Sequence, residues 1–289
     1  MTERNFITHH IGGGGLCWYL PERYIELKPV SYGSFGSVCS AWDTVTNHQV
    51  AIKLLKRPFD VLELAKRTYR ELAILSHLKH ENFIHGAKIL HRDLKPANII
   101  VNEDLELKIA DFGLARSAFS LIDSGSYVTT RAYRAPEVLT KWMDYDERVD
   151  IWSAGCIFVE MKIGTPLFGD LLKPQLIKHI LQVTGGPDEI MMQKINSEYS
   201  RSYIKNMDIP PKLNMADIFP WASAELLDLL SKMLELDPDR RLKASEALKH
   251  PYFQKYHDEE NEEVGTPWRD PLLDEVSLTE NEWRGILLR

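Results

Sequence analysis

His91, Asp93, Lys95 and Asn98 fall within one stretch of eight residues, His-Arg-Asp-Leu-Lys-Pro-Ala-Asn. An aspartate there can accept a hydroxyl proton, the lysine can steady a transferring phosphoryl group, and the asparagine oxygen can ligate a metal. Asp111-Phe-Gly113 follows, a carboxylate suited to magnesium ahead of a hinge-like glycine. Upstream, Val30, Ser31, Tyr32, Gly33, Ser34, Phe35, Gly36, Ser37 and Val38 form a glycine-containing turn whose backbone amides can approach phosphate oxygens. Alone, that turn reads as readily as a plain hairpin. Lys53 closes Val50-Ala-Ile-Lys53 between apolar neighbours, where a buried ammonium needs a carboxylate; Glu71 lies on the helix that follows. In this order the four elements point to phosphoryl transfer assisted by a divalent metal.

The elements that must position these residues are legible in outline. Val38, Ser40 and Trp42 alternate, 43–49 is turn-rich and 50–55 is strongly apolar, which predicts a hairpin. Asp60 with Glu63 three residues later predicts a helix start, and Leu64, Ala65, Leu72, Leu75 and Leu78 predict its buried face. Short strands are expected at 99–101 and 107–109, and helices at 149–162, 174–184, 224–234 and 244–250. Residues 1–23 read as a flexible lead-in, because four consecutive glycines at 12–15 are costly to order. A β-rich first part and a helical second part predict an α+β fold with two lobes.

Composition narrows the function classes. The chain has 289 residues, 44% hydrophobic and 27% charged, as in an ordinary globular protein. A net charge of −7 argues against a nucleic-acid partner. Its longest apolar run, 151–159, is too short to span a bilayer. Three widely spaced cysteines suit a reducing compartment and no disulfide or zinc framework. A soluble intracellular protein is expected.

The motifs resemble those of eukaryotic protein kinases over residues 24–253. Lys66-Arg-Thr-Tyr-Arg-Glu71, Arg131-Ala-Tyr-Arg-Ala-Pro-Glu137 and Val149-Asp-Ile-Trp-Ser-Ala-Gly-Cys-Ile157 resemble the mitogen-activated subfamily, in its stress-activated, osmosensing branch. The resemblance implies a bilobal kinase fold. It makes Asp93 the catalytic base with Lys95 beside it, Asn98 and Asp111 the magnesium ligands, and residues 30–38, Lys53 and Glu71 the ATP site. It pairs Arg241 with Glu137 and makes Asp150 the prop of the catalytic loop. It further implies a cytoplasmic and nuclear monomer with protein substrates and an upstream dual-specificity kinase. The acidic run 258–263 resembles a docking patch carried by Asp258, Glu260 and Glu262, although a solvated tail has the same composition.

Two departures stand beside these matches. Where the subfamily has a Thr-x-Tyr pair, this chain has Gly125 before Tyr127, so the phosphorylation candidates become Tyr127, Ser126 and Ser124. Arg67, Arg70, Arg92 and Arg116 match the basic cluster that would receive the phosphothreonine. Secondly, only 38 residues separate Lys53 from His91 (91 − 53), where the family needs roughly ninety-five. A gap after Gly86 would divide the domain into 24–86 and 87–253, ahead of a C-terminal extension over 254–289. Such a chain is expected to have an incomplete N-lobe sheet, a C-lobe without its first helices, and impaired catalysis. Its alternatives are a non-catalytic docking protein competing for kinase partners, and an incomplete splice form or gene model.

Overall fold

The computed structural model describes residues 5–11, 16–32, 36–78, 84–102, 104–118, 131–169, 171–258, 265–269, 271–274 and 278–288. They form two compact units, Met1–Lys66 with Leu278–Arg289, and Arg67–Ser277.

The first unit corrects the expectation of a flexible lead-in. β1 (Phe6–Ile11) and β2 (Leu16–Pro21) pair antiparallel, with Phe6 opposite Pro21 and Ile11 opposite Leu16. Phe6 stacks on Tyr19 at 4.9 Å, and Trp18 is buried against Cys39. Burial of an indole offsets the entropy that a glycine-rich connection costs. The predicted hairpin is present as β4 (Gly36–Asp43) and β5 (His48–Leu55), with β3 (Tyr24–Tyr32) on the other side of β4. Its buried side is made by the small residues Cys39 and Ala41. The sheet order is β3-β4-β5, and among the described residues no strand continues it beyond β5. Also in this unit, α11 (Glu280–Leu287) is closed by a Thr279–Glu282 capping box, buries Trp283 and lays Arg284 over Phe59.

α1 (Leu62–His77) starts two residues after Asp60, which instead approaches Arg57 at 3.7 Å. Its predicted buried face needs correction. Ala65, Thr68, Glu71 and Ile74 are buried, whereas Leu72 and Leu75 are 49% and 44% exposed. The inward stripe also carries Arg67 and Arg70 (both buried), because near its start it meets polar groups of the loop 111–113, whereas Ile74 further along packs on apolar residues including Phe112. Of the predicted face, Ala65 is buried and Leu78 packs on the core, while Leu72 and Leu75 face outward.

In the second unit, β6 (Ile89–Leu90) pairs with β9 (Arg116–Ser117), and β7 (Ile99–Val101) pairs with β8 (Leu107–Ile109). Helices follow: α2 (Pro136–Thr140), α3 (Arg148–Ile163), α4 (Lys173–Thr184), α5 (Glu189–Lys194), α6 (Glu198–Lys205), α7 (Met215–Ile218), α8 (Ala224–Met233), α9 (Ala244–Leu248) and α10 (Pro271–Asp274). α3 runs through the core, with Trp152, Cys156 and Val159 fully buried and Trp152 stacked on Phe168 at 5.6 Å. A helix polar only at its ends and apolar all round belongs in an interior. Trp268 is buried among Ile74, Ile84, Phe112 and Ala115, and its N–H donates to the Ala87 carbonyl at 2.8 Å. No helix among the described residues is long and apolar enough to cross a membrane.

Candidate active site

The His91–Asn98 loop is held from below by α3. Asp150 is fully buried, and its Oδ2 accepts from the His91 N–H at 2.7 Å while Oδ1 accepts from the Arg92 N–H at 2.8 Å. The His85 ring adds a third donor, with Nε2 2.9 Å from Oδ2. Burial alone would push the Asp150 carboxyl up; the hydrogen bonds from His85 and from the Arg92 N–H outweigh it and hold it below the ordinary carboxylate range. Arg92 needs this anchorage, since its φ of 68° is a left-handed value that a β-carbon disfavours.

His91 is placed by both ring nitrogens. Nε2 lies 3.0 Å from the Ala110 carbonyl and so must donate, which leaves Nδ1 to accept from the Asp93 N–H at 3.3 Å. The ring also meets Phe112 edge-on at 5.1 Å, tying the loop to the Asp111–Gly113 turn. Asp93, 5% exposed, presents Oδ2 to Lys95 Nζ at 2.7 Å and to Asn98 Nδ2 at 3.3 Å. Asn98 Nδ2 also donates to the Asp93 carbonyl at 2.9 Å. These three predicted residues are thus brought together: a carboxylate to take a proton, an ammonium beside it, and an amide whose nitrogen is spent on the loop.

Asp111 sits beside this loop in a left-handed conformation, φ 63° and ψ 68°. Its two carboxylate oxygens lie 3.2 and 3.4 Å from Nη2 of Arg67. Arg70 Nη1 donates to the Gly113 carbonyl at 3.0 Å. The expected arginine cluster is therefore distributed: Arg67 and Arg70 hold the 111–113 turn, Arg92 lies over the Tyr145 ring at 5.4 Å, and Arg116 donates to the Ala115 carbonyl. Arg134 is pushed down by burial; Asp93 opposes that shift, while Arg92 and Arg131 add to it.

Behind the site, Arg241 is fully buried and grips Glu137 with two bonds of 2.7 and 3.1 Å. It also donates to the Glu235 and Arg148 carbonyls and lies over Trp152 at 5.1 Å.

Protein kinase domains are the family whose model matches this chain, over residues 81–253. Mitogen-activated protein kinase 14 of Xenopus laevis is 40% identical over 324 aligned positions, covering 92% of this chain and 89% of the relative. Mitogen-activated protein kinases 13 of Bos taurus and Homo sapiens are each 40% identical, covering 92% of this chain and 88% of the relative. The chain belongs to the mitogen-activated protein kinase family. By family it is a serine/threonine kinase of the stress-activated branch. The 92% of 289 residues is about 266, so 324 − 266 leaves about 58 positions where the first relative has residues and this kinase has none. That matches the shortfall between Lys53 and His91 and the sheet that stops at β5.

The other predicted site residues fare unevenly. Val30 and Tyr32 are 63% and 58% exposed on β3, Ser37 is buried on β4, and Gly33, Ser34 and Phe35 lie outside the described residues. Gly36 has a steric reason, since a β-carbon there would stand 2.5 Å from the Leu54 carbonyl oxygen. Lys53 is exposed on β5 opposite Val38, a correction to the buried ammonium expected, because among the described residues no strand pairs with the other edge of β5. Glu71 is buried on α1, in the other unit. Ser124, Ser126, Tyr127, Glu260 and Glu262 lie outside the described residues; Asp258 is exposed. Sequence reasoning missed His85, whose only signal was its spacing of six before His91. It also missed Arg67 as the partner of Asp111.

Kinase domains use ATP and magnesium. Asn98 suits the metal, with its nitrogen engaged and a carbonyl oxygen left as the ligating atom. Asp111 does not fit in this arrangement, because both its oxygens face a guanidinium.

Proposed function

We propose that this chain is a stress (osmotic) signalling kinase by descent, acting on Ser/Thr-Pro sites of proteins, and that its phosphoryl transfer is impaired by the internal gap. Asp93 is the base for the substrate hydroxyl, Lys95 steadies the phosphoryl group, and Asn98 and Asp111 are the metal ligands of the complete site. The turn 30–38, Lys53 and Glu71 hold the nucleotide phosphates. One observation carries the impairment: the catalytic loop is fully built on α3, whereas the sheet that bears Lys53 ends at β5. Adenine loses its flanking strands and hinge hydrogen bonds, each worth about 1 kcal/mol net. The domain runs over 24–253 with an extension over 254–289. The junction expected after Gly86 we move upstream of His85, a reading supported by the His85 bond to Asp150 and by a kinase-domain match that begins at residue 81. Intact motifs on both sides support a skipped exon over slow decay. Cytoplasmic and nuclear residence, a monomeric state, and an upstream dual-specificity kinase belong to this reading.

Thermal melting with millimolar ATP-magnesium tests it. A ligand at a hundred times its dissociation constant stabilises by about 2.7 kcal/mol, which a melt resolves. No shift is expected for the chain as it stands, and inserting the missing segment from a relative, with Gly125→Thr, should restore binding and Asp93-dependent activity. A shift in the unaltered chain that Lys53→Met abolishes would refute the impairment. A second reading, a docking protein that competes for kinase partners, is supported by the helices of the second unit and the acidic run.

A further inference from the structure

Taking Asp111 as the metal carboxylate of the proposed site, we infer that Arg67 is a built-in cation that occupies it, so that a divalent ion binds only when Arg67 withdraws. Nη2 of Arg67 lies within 3.4 Å of both Asp111 oxygens, and its side chain is 9% exposed against 26% for the carboxylate. A magnesium on the same carboxylate would need an oxygen at about 2.0–2.1 Å, placing two like charges against one anion. The guanidinium is not a loosely swinging surface group. It packs on Gly113 so closely that a β-carbon at that position would stand 2.2 Å from its Nε and 2.8 Å from its Cγ. Glycine at 113 is what lets the arginine reach the aspartate. Arg70, one turn further along α1, fixes the same loop through the Gly113 carbonyl. The two arginines thus set the loop from α1, and movement of that helix is what would release the carboxylate.

The test needs no nucleotide and no catalysis. Binding of manganese ion to the 289-residue chain, read by electron paramagnetic resonance and by the metal-induced melting shift, is compared among wild type, Arg67→Gln, Gly113→Ala and Asp111→Asn. Deleting the competing charge makes every molecule binding-competent, so Arg67→Gln should bind manganese about tenfold or more tightly than wild type. Gly113→Ala keeps the arginine but expels it from its seat, and should tighten binding in the same direction even if Arg67→Gln proves poorly folded. Adding Asp111→Asn to either variant should abolish the gain. Equal manganese affinity in wild type and both variants, or a gain that survives Asp111→Asn, would overturn the inference. Failure of the impaired-kinase reading would show elsewhere, as an ATP-dependent melting shift, and the metal titration does not depend on it.

Discussion

Arg241 and Glu137 join chain positions 104 apart through a pair of which neither partner is more than 2% exposed. Substituting Glu137→Gln removes the counter-charge and leaves a buried guanidinium facing only neutral acceptors, an amide oxygen and the Glu235 and Arg148 carbonyls, with the Trp152 face. An uncompensated buried charge of this kind costs about 3–5 kcal/mol. The two carbonyls and the ring soften the loss, which places the expectation near the lower end, about 3 kcal/mol. Arg241→Met leaves the converse defect, a buried carboxylate and two carbonyls stripped of donors.

Combining the substitutions removes both charges, and the double variant should lie about 2–3 kcal/mol closer to wild type than the two single effects summed. Urea melts of the four proteins supply the cycle. For a unit of this size each kcal/mol moves a thermal midpoint by about 2–4 °C, so Glu137→Gln should lower it by about 6–12 °C. Additive effects, or a Glu137→Gln cost below about 1 kcal/mol, would show that the pair is dispensable and that packing alone holds the activation-segment end to α3.

Three further outcomes are expected. Asp150 has a folded-state pKa below its ordinary 3.8, so it binds fewer protons folded than unfolded; its stabilisation is present above 3.8 and is lost as pH falls further. Asp150→Asn should therefore cost about 1–3 kcal/mol at neutral pH and flatten the acid limb of the stability profile, and an unchanged acid limb would refute this. Phosphopeptide mapping after osmotic stress should find Tyr127 modified, with Ser124 or Ser126, since Gly125 has no hydroxyl; finding none of the three would remove the switch. Charge reversal at Asp258, Glu260 and Glu262 should weaken basic-peptide binding in a salt-dependent way, as exposed charges are screened within about 10 Å at 0.1 M; unchanged affinity would favour the solvated tail.

What could be read from the sequence follows from how far apart the partners lie. The strands at 99–101 and 107–109 and the cluster of Asp93, Lys95 and Asn98 were legible because their determinants are local, and the structure keeps the same bounds. The α1 face was not, because its leucine period competes with a polar stripe whose partners lie about forty residues away, Arg67 with Asp111 and Arg70 with Gly113. The hairpin at 6–21 was hidden by its glycines, since nothing local announces that Trp18 will find Cys39. The same distinction separates the two halves of the candidate site. Among the described residues, the bonds to the backbone and side chain of His91 and to the Arg92 backbone come from residues at or after His85, chiefly Asp150 and Ala110. Lys53 is placed instead by the sheet, exposed on β5 opposite Val38, so its position depends on strand pairing rather than on a local motif.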